Sequence, residues 1–150
     1  MKKIIGYANL EDKPEVLDYD MMRYFKRTVP SCDEDAELIP IIDREPQYSM
    51  PENRDGWNMV VELCKNEKVE WIVIPSVKMM GIGMLDILER GTKLYEEYGT
   101  KTLFQYEQAE IGNDNSNVHF GFLCSFMLWK DQMIRERARL LEIFEEVTKG

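Results

Sequence analysis

Glu11 and Asp12 close the stretch GYANLED, Gly6 to Asp12, where an apolar run gives way to a polar loop ahead of an amphipathic segment. In α/β proteins the loop at the carboxyl end of a strand is where phosphate-handling and nucleophilic groups gather. This one offers two carboxylates and no hydroxyl, thiol, glycine pair or arginine. Paired acids can hold magnesium, and Glu11, Asp12 and Asp43 could form such a set if the first two strands were neighbours. Solvated loop carboxylates are the simpler account, and no metal or cofactor is expected. A phosphate-accepting receiver domain would need an aspartate at the end of the third strand, where the chain reads IPSVK. Ser76 and Ser49 supply hydroxyls, but neither has a base close to it in sequence. The single histidine, His119, lies in an apolar stretch and reads as structural. No P-loop, GxGxxG, HExxH or zinc-ligand spacing occurs, so nucleotide and zinc enzymes have no support.

The elements that would position these groups alternate in type along the chain. Apolar runs at Lys3–Ala8, Glu37–Ile42, Val69–Pro75 and Thr100–Tyr106 predict four strands. Amphipathic helices fall between them, which predicts an α/β fold with a mainly parallel four-stranded sheet in three layers. After Pro14, a favourable early helix position, Leu17, Met21, Phe25 and Thr28 share a face; so do Trp57, Val60, Val61 and Cys64 in the second helix, and Met84, Ile87, Leu88, Gly91 and Tyr98 in the third. A long helix is predicted over about 116–148, capped at Asn115 or Ser116. Its first half is apolar nearly all round, including Val118, Phe120, Phe122, Phe126 and Trp129, and must be buried on several sides. Its second half, RERARLLEIFEEV, returns to an amphipathic stripe, as expected of a helix that serves self-association. DREPQYSMPENRDG reads as a long loop before the second helix, of a length often tied to function.

The bulk numbers set limits. A chain of 150 residues with 44% hydrophobic content makes one domain, 1–150, able to bury about 70% of the surface exposed when unfolded. Cys32, Cys64 and Cys124 form no CxxC pair and lie in or beside apolar runs, as in a reduced, cytoplasmic protein. No segment reads as a signal peptide or a membrane span. The formal charge of −9 leaves DNA binding by this domain alone possible but weak, since gripping a nucleic-acid backbone takes clustered lysine and arginine.

Taken in order, these pieces resemble the catalytic domain of the serine recombinases, the resolvase and invertase family. IIGYANLED resembles that family's IGYARVST strand. The run NRDGWNMVVELCKNEKVEWIVIPSVKMMGIGMLDILERGTKLYEEYGTKTLFQYEQ is similar to the segment holding its LDRLGR motif, and QMIRERARL is similar to ELIRERTR on its long helix. The likeness covers nearly the whole chain. It implies a resolvase-like fold with the first strand central and a dimerising C-terminal helix. It also implies a chemistry in which a serine attacks a DNA phosphodiester while arginines neutralise the phosphate.

The motif positions depart from that chemistry. The nucleophile falls on Glu11 and the arginine two places before it on Asn9. In the LDRLGR segment the aspartate falls on Lys78 and the two arginines on Met79 and Ile82, while Gly81 is kept. Arg54, Glu136 and Arg137 are retained. A carboxylate at position 11 would repel the phosphate by about 4 kcal/mol at ~4 Å and an effective dielectric near 20. Its attack would give an acyl phosphate that water opens readily. The methionine-rich KMMGIGM loop then reads as collapsed onto the core or turned to protein contact. The resulting expectation is a degenerate recombinase-like domain acting as homodimer, or as a partner of an active recombinase, in DNA rearrangement. The alternatives are an active recombinase with an unrecognised nucleophile, and a small-ligand or protein-binding module on the same fold.

Overall fold

β-branched and aromatic runs that are apolar at consecutive positions suit strands covered on both faces, and the first strand shows the pattern most clearly. The computed structural model describes residues 2–29, 36–46, 49–112 and 114–149, with the side chains of 114–129 excepted. In chain order it holds β1 (Lys2–Asn9), α1 (Asp18–Thr28), β2 (Ala36–Asp43), α2 (Asp55–Asn66), β3 (Val69–Ile74), α3 (Met84–Tyr98), β4 (Lys101–Phe104), β5 (Ala109–Ile111) and α4 (Asp114–Lys149). Short 3₁₀ turns, Pro51–Asn53 and Val77–Met80, precede α2 and α3. The sheet order is β2-β1-β3-β4-β5. The pairs β1–β2, β1–β3 and β3–β4 are parallel, and β4–β5 is antiparallel.

Two apolar layers sandwich the sheet. Ile5 and Tyr7 of β1 join Trp57, Val60 and Cys64 of α2 and Ile87 and Leu94 of α3 on one face. Ala8 and the partly buried Ile4 join Met21 and Phe25 of α1 on the other. β1 therefore lies inside the sheet and is buried on both sides, although β3, not β1, takes the central place that the resemblance implies for the first strand.

The structure adds a fifth strand to the expected four. Residues Gln105–Gln108 reverse the chain, with Gln108 in the left-handed region at φ 51°, and AEI returns along β4. Three residues are too few for a period to show. β5 also explains Gly91: a Cβ there would stand 2.7 Å from Ile111 Cδ1. α1 begins at Asp18 rather than just after Pro14, because residues 10–16 are spent on tight turns in which Lys13 N donates to Leu10 O and Val16 N to Lys13 O. Leu17 is consequently exposed and off the apolar face, while Met21 and Phe25 are buried. The long helix is present but begins at Asp114, so Asn115 and Ser116 lie inside its first turn rather than capping it; it packs on β5 and α3. His119, Cys124, Cys32 and the apolar side chains of the first half of α4 lie outside the described residues.

β1 and α1 meet closely at Gly6, where an added Cβ would stand 2.7 Å from the Phe25 ring. Gly6→Ala should cost about 1–3 kcal/mol by overpacking, read as a lower urea midpoint at unchanged slope. The double variant Gly6→Ala/Phe25→Leu should recover part of the loss.

Candidate functional site

The order β2-β1-β3 places the ends of three parallel strands side by side, with the sheet extending in opposite directions from β1. Crevices at such switch points are the usual ligand sites of open α/β sheets. One is present: a cleft of about 520 Å³ whose lining includes Asp12, Lys13, Ser76, Lys78, Gln105 and Tyr106. Lys13 and Lys78 are exposed and, among the described residues, neither ammonium has an ion-pair partner.

The rim of the cleft is stiffened by side chains. Tyr24 Oη donates to Gln105 Oε1 at 3.1 Å, and Gln105 Nε2 donates to Thr28 Oγ1 at 3.0 Å, so α1 is tied to the end of β4. Ser76 Oγ donates to Glu107 Oε1 at 2.8 Å, and Val77 N donates to the same oxygen at 3.1 Å. Glu107 is a carboxylate that sequence reasoning missed, since the reversal after β4 is what delivers it. It anchors the turn after β3, its carboxylate engaged by the Ser76 hydroxyl and the Val77 amide. Ser49 is also committed, donating to Pro46 O and accepting from Arg54 Nε at 3.2 Å.

The retained Arg54 is fully buried. Its Nη1 donates to Met79 O at 2.6 Å and to Tyr7 Oη at 3.3 Å, while Nη2 donates to Ser49 O at 3.0 Å and Met80 O at 2.9 Å. Tyr7 Oη in turn donates to Asp43 Oδ2 at 2.7 Å. Asp43 accepts from the first amides of α2, Gly56 N at 2.7 Å and Trp57 N at 3.0 Å, where the helix dipole favours an anion. Gly56 is needed there, because a Cβ would stand 2.5 Å from Asp43 Oδ1. The chain Asp43–Tyr7–Arg54 thus links β2, β1, the start of α2 and the loop after β3. Burial first, with the Asp43 carboxylate adding and the Arg54 guanidinium opposing, pushes the Tyr7 phenol well above its ordinary range.

These contacts separate the three acids that a magnesium site would have needed. Asp43 is buried in the network, whereas Glu11 and Asp12 are exposed, and no three His, Cys, Asp or Glu side chains converge among the described residues. Asn9 is buried and donates from Nδ2 to Glu45 O at 3.0 Å, holding the chain that leaves β2. Met80 is buried, and Met79 and Ile82 pack against the core, so the methionine loop is largely collapsed inward. Gly81 is in the left-handed region at φ 69°, which gives its retention a backbone reason. Glu136 and Arg137 are exposed on α4. Arg137 lies roughly 35 Å along the helix from its start at 1.5 Å per residue.

No established family profile matches the sequence, and no curated protein is significantly similar to it. Solved structures are similar in fold. The N-terminal catalytic domain of TP901-1 integrase superposes with a TM-score of 0.63 over 87% of this chain and 98% of that one, at 7% identity. A resolvase family site-specific recombinase from Streptococcus pneumoniae superposes with a TM-score of 0.54 over 99% of this chain and 98% of that one, at 13% identity.

The chain has the serine recombinase catalytic fold. On this recombinase-like fold, the positions where the family resemblance puts the nucleophile and its arginines carry an exposed acid at Glu11, a structural amide at Asn9, and two apolar side chains at Met79 and Ile82. No helix among the described residues is long and apolar enough to cross a membrane.

Arg54→Lys keeps the charge but loses the fork that reaches four partners at once. It should destabilise the fold by about 3 kcal/mol, the lower end for breaking a buried charged network, measured by urea denaturation. The Tyr7 shift predicts a pH effect of definite sign. A phenol whose folded pKa is raised stabilises the native state below its unfolded pKa of about 10 and loses that contribution as pH rises further. In an alkaline titration Tyr7 should therefore ionise only on unfolding, and Tyr7→Phe should lower the phenolate signal of the unfolded chain but not that of the native one.

Proposed function

We propose that this chain is a recombination-associated domain that does not cleave DNA and acts by association through α4, with a second copy or with an active recombinase. The observation that carries this reading is the engagement of Arg54. In an active site of this type a guanidinium must be available to the phosphate, and here it donates to three backbone carbonyls, a serine and a tyrosine inside the protein. Releasing it would leave those carbonyls unsatisfied and open the loop after β3, each at a cost of about 1–3 kcal/mol.

The electrostatics point the same way. A missing transition-state donor typically lowers a rate by about a hundred- to a thousandfold, and Asn9, Met79 and Ile82 supply no cation. Lys13 and Lys78 add positive charge at the cleft, but Asp12 shares that lining and Glu11 precedes it. An ammonium also does not offer the planar two-point grip of arginine on a phosphoryl group.

Association is supported by the second half of α4. Met133, Ile134, Leu140, Leu141, Ile143, Phe144 and Val147 are exposed along one stretch of helix, and contiguous apolar surface of this kind marks an interaction site. The domain's acidity suits a protein partner better than a nucleic-acid backbone.

Incubation with supercoiled DNA carrying recombination sites, followed by denaturation and a search for DNA-linked peptide, should yield no covalent adduct. Glu11→Ser should yield none either, because the hydroxyl would return without its arginines. A peptide esterified to a cut DNA end from the unmodified chain would overturn the reading. Sedimentation equilibrium should show a species heavier than the monomer, and Leu140→Glu/Phe144→Glu should return it to monomer.

A further inference from the structure

The exposed half of α4 carries its charges in two blocks of opposite sign. Residues 130–139 hold Lys130, Arg135, Arg137 and Arg139 against Asp131 and Glu136, a net +2; residues 140–149 hold Glu142, Glu145 and Glu146 against Lys149, a net −2. Every one of these residues is exposed. Within one helix this order is unfavourable, because the carboxyl end of a helix carries partial negative charge and prefers cations. The only ion pair among the described side chains of α4 is Arg135–Asp131, at 3.0 Å within the basic block.

An apolar stripe runs through both blocks. Met133, Leu140 and Val147 recur every seven residues, with Phe144 between the last two and the aliphatic stem of Arg137 between the first two. Leu140 is 67% exposed, Phe144 66% and Val147 74%. A seven-residue apolar repeat is the seam by which helices pair. Two orientations are open to a second copy. Side by side in the same direction, basic block meets basic and acidic meets acidic. In opposite directions, each basic block meets an acidic one.

We propose that the second half of α4 pairs antiparallel with the same segment of a second copy, crossing near Leu140. In this arrangement Met133 of one copy lies against Val147 of the other, and the acids near the end of each helix face the cations of its partner. The misplaced glutamates then have a use: they complement a second chain rather than their own helix. This inference rests on the association reading above and specifies both its partner, a second copy of this chain, and its geometry. Like-charge juxtaposition selects against the parallel alternative, and the acidic block selects against a nucleic-acid backbone at the same surface.

Charge reversal distinguishes the orientations. Arg135→Glu/Arg139→Glu changes the first block from +2 to −2, and Glu142→Lys/Glu145→Lys changes the second from −2 to +2. All four positions are exposed, and retained helix content by circular dichroism confirms folding. With dimerisation measured by sedimentation equilibrium at low ionic strength, each double variant should dimerise on the order of tenfold more weakly, the sum of several surface pairs. The chain carrying all four changes should return to within about threefold of the wild type, since its blocks are again complementary. A parallel pair predicts no such pattern, because like blocks meet in all four proteins. Equal dimerisation across the set therefore overturns the antiparallel geometry while leaving association intact. A wild-type chain that stays monomeric at high concentration overturns the association reading itself, and the geometry with it.

Discussion

The position of one guanidinium governs the rest of this structure. Arg54 has no exposed surface, and a buried charge is tolerable only when its donors are met. They are met by Tyr7, Ser49 and the carbonyls of Met79 and Met80. Through Tyr7 the positive charge is linked to Asp43, which also receives the first amides of α2. The edge of the sheet where catalysis would be sought is therefore organised around an internal ion network. The guanidinium is part of the frame.

Much of the frame was legible in the sequence because it depends on periodicity. The parallel strands, the buried face of Trp57, Val60 and Cys64, and the long final helix all follow from apolar spacing, and each has a counterpart in the fold. β5 was not legible: its three residues carry no repeat, and it is held by pairing with β4 and by packing of Ile111 on Gly91. The start of α1 was misplaced for a related reason. Pro14 is a good early helix residue, but the turns after β1 outcompete it locally and hand the start to Leu17, whose amide N–H donates to the Asp20 carboxylate.

At the candidate site the sequence revealed identities and hid directions. Arg54 was recognisable as a retained residue, yet whether a guanidinium points outward or inward depends on partners contributed by Tyr7, Ser49 and the loop after β3. Asp43 can be grouped with Glu11 and Asp12 on charge and on the pairing of the first two strands, and that pairing is present; its carboxylate is nevertheless drawn away because Gly56 leaves room for it at the start of α2. Glu107 acts on Ser76 only because the chain reverses after β4. Each of these depends on contacts between residues distant in the chain, which no local pattern encodes.

Asp43 ends β2 and Arg54 immediately precedes α2, and both reach the same tyrosine hydroxyl. The chain is therefore held by a hydrogen-bonded clasp where it leaves β2 and where it enters α2. Closing a longer loop costs little once its ends are held, about 0.6 kcal/mol for each doubling of length. Within the span, Ser49 gives its carbonyl and hydroxyl to Arg54 and Glu45 its carbonyl to Asn9, so length can be added only between such fixed points without stripping the guanidinium of its acceptors.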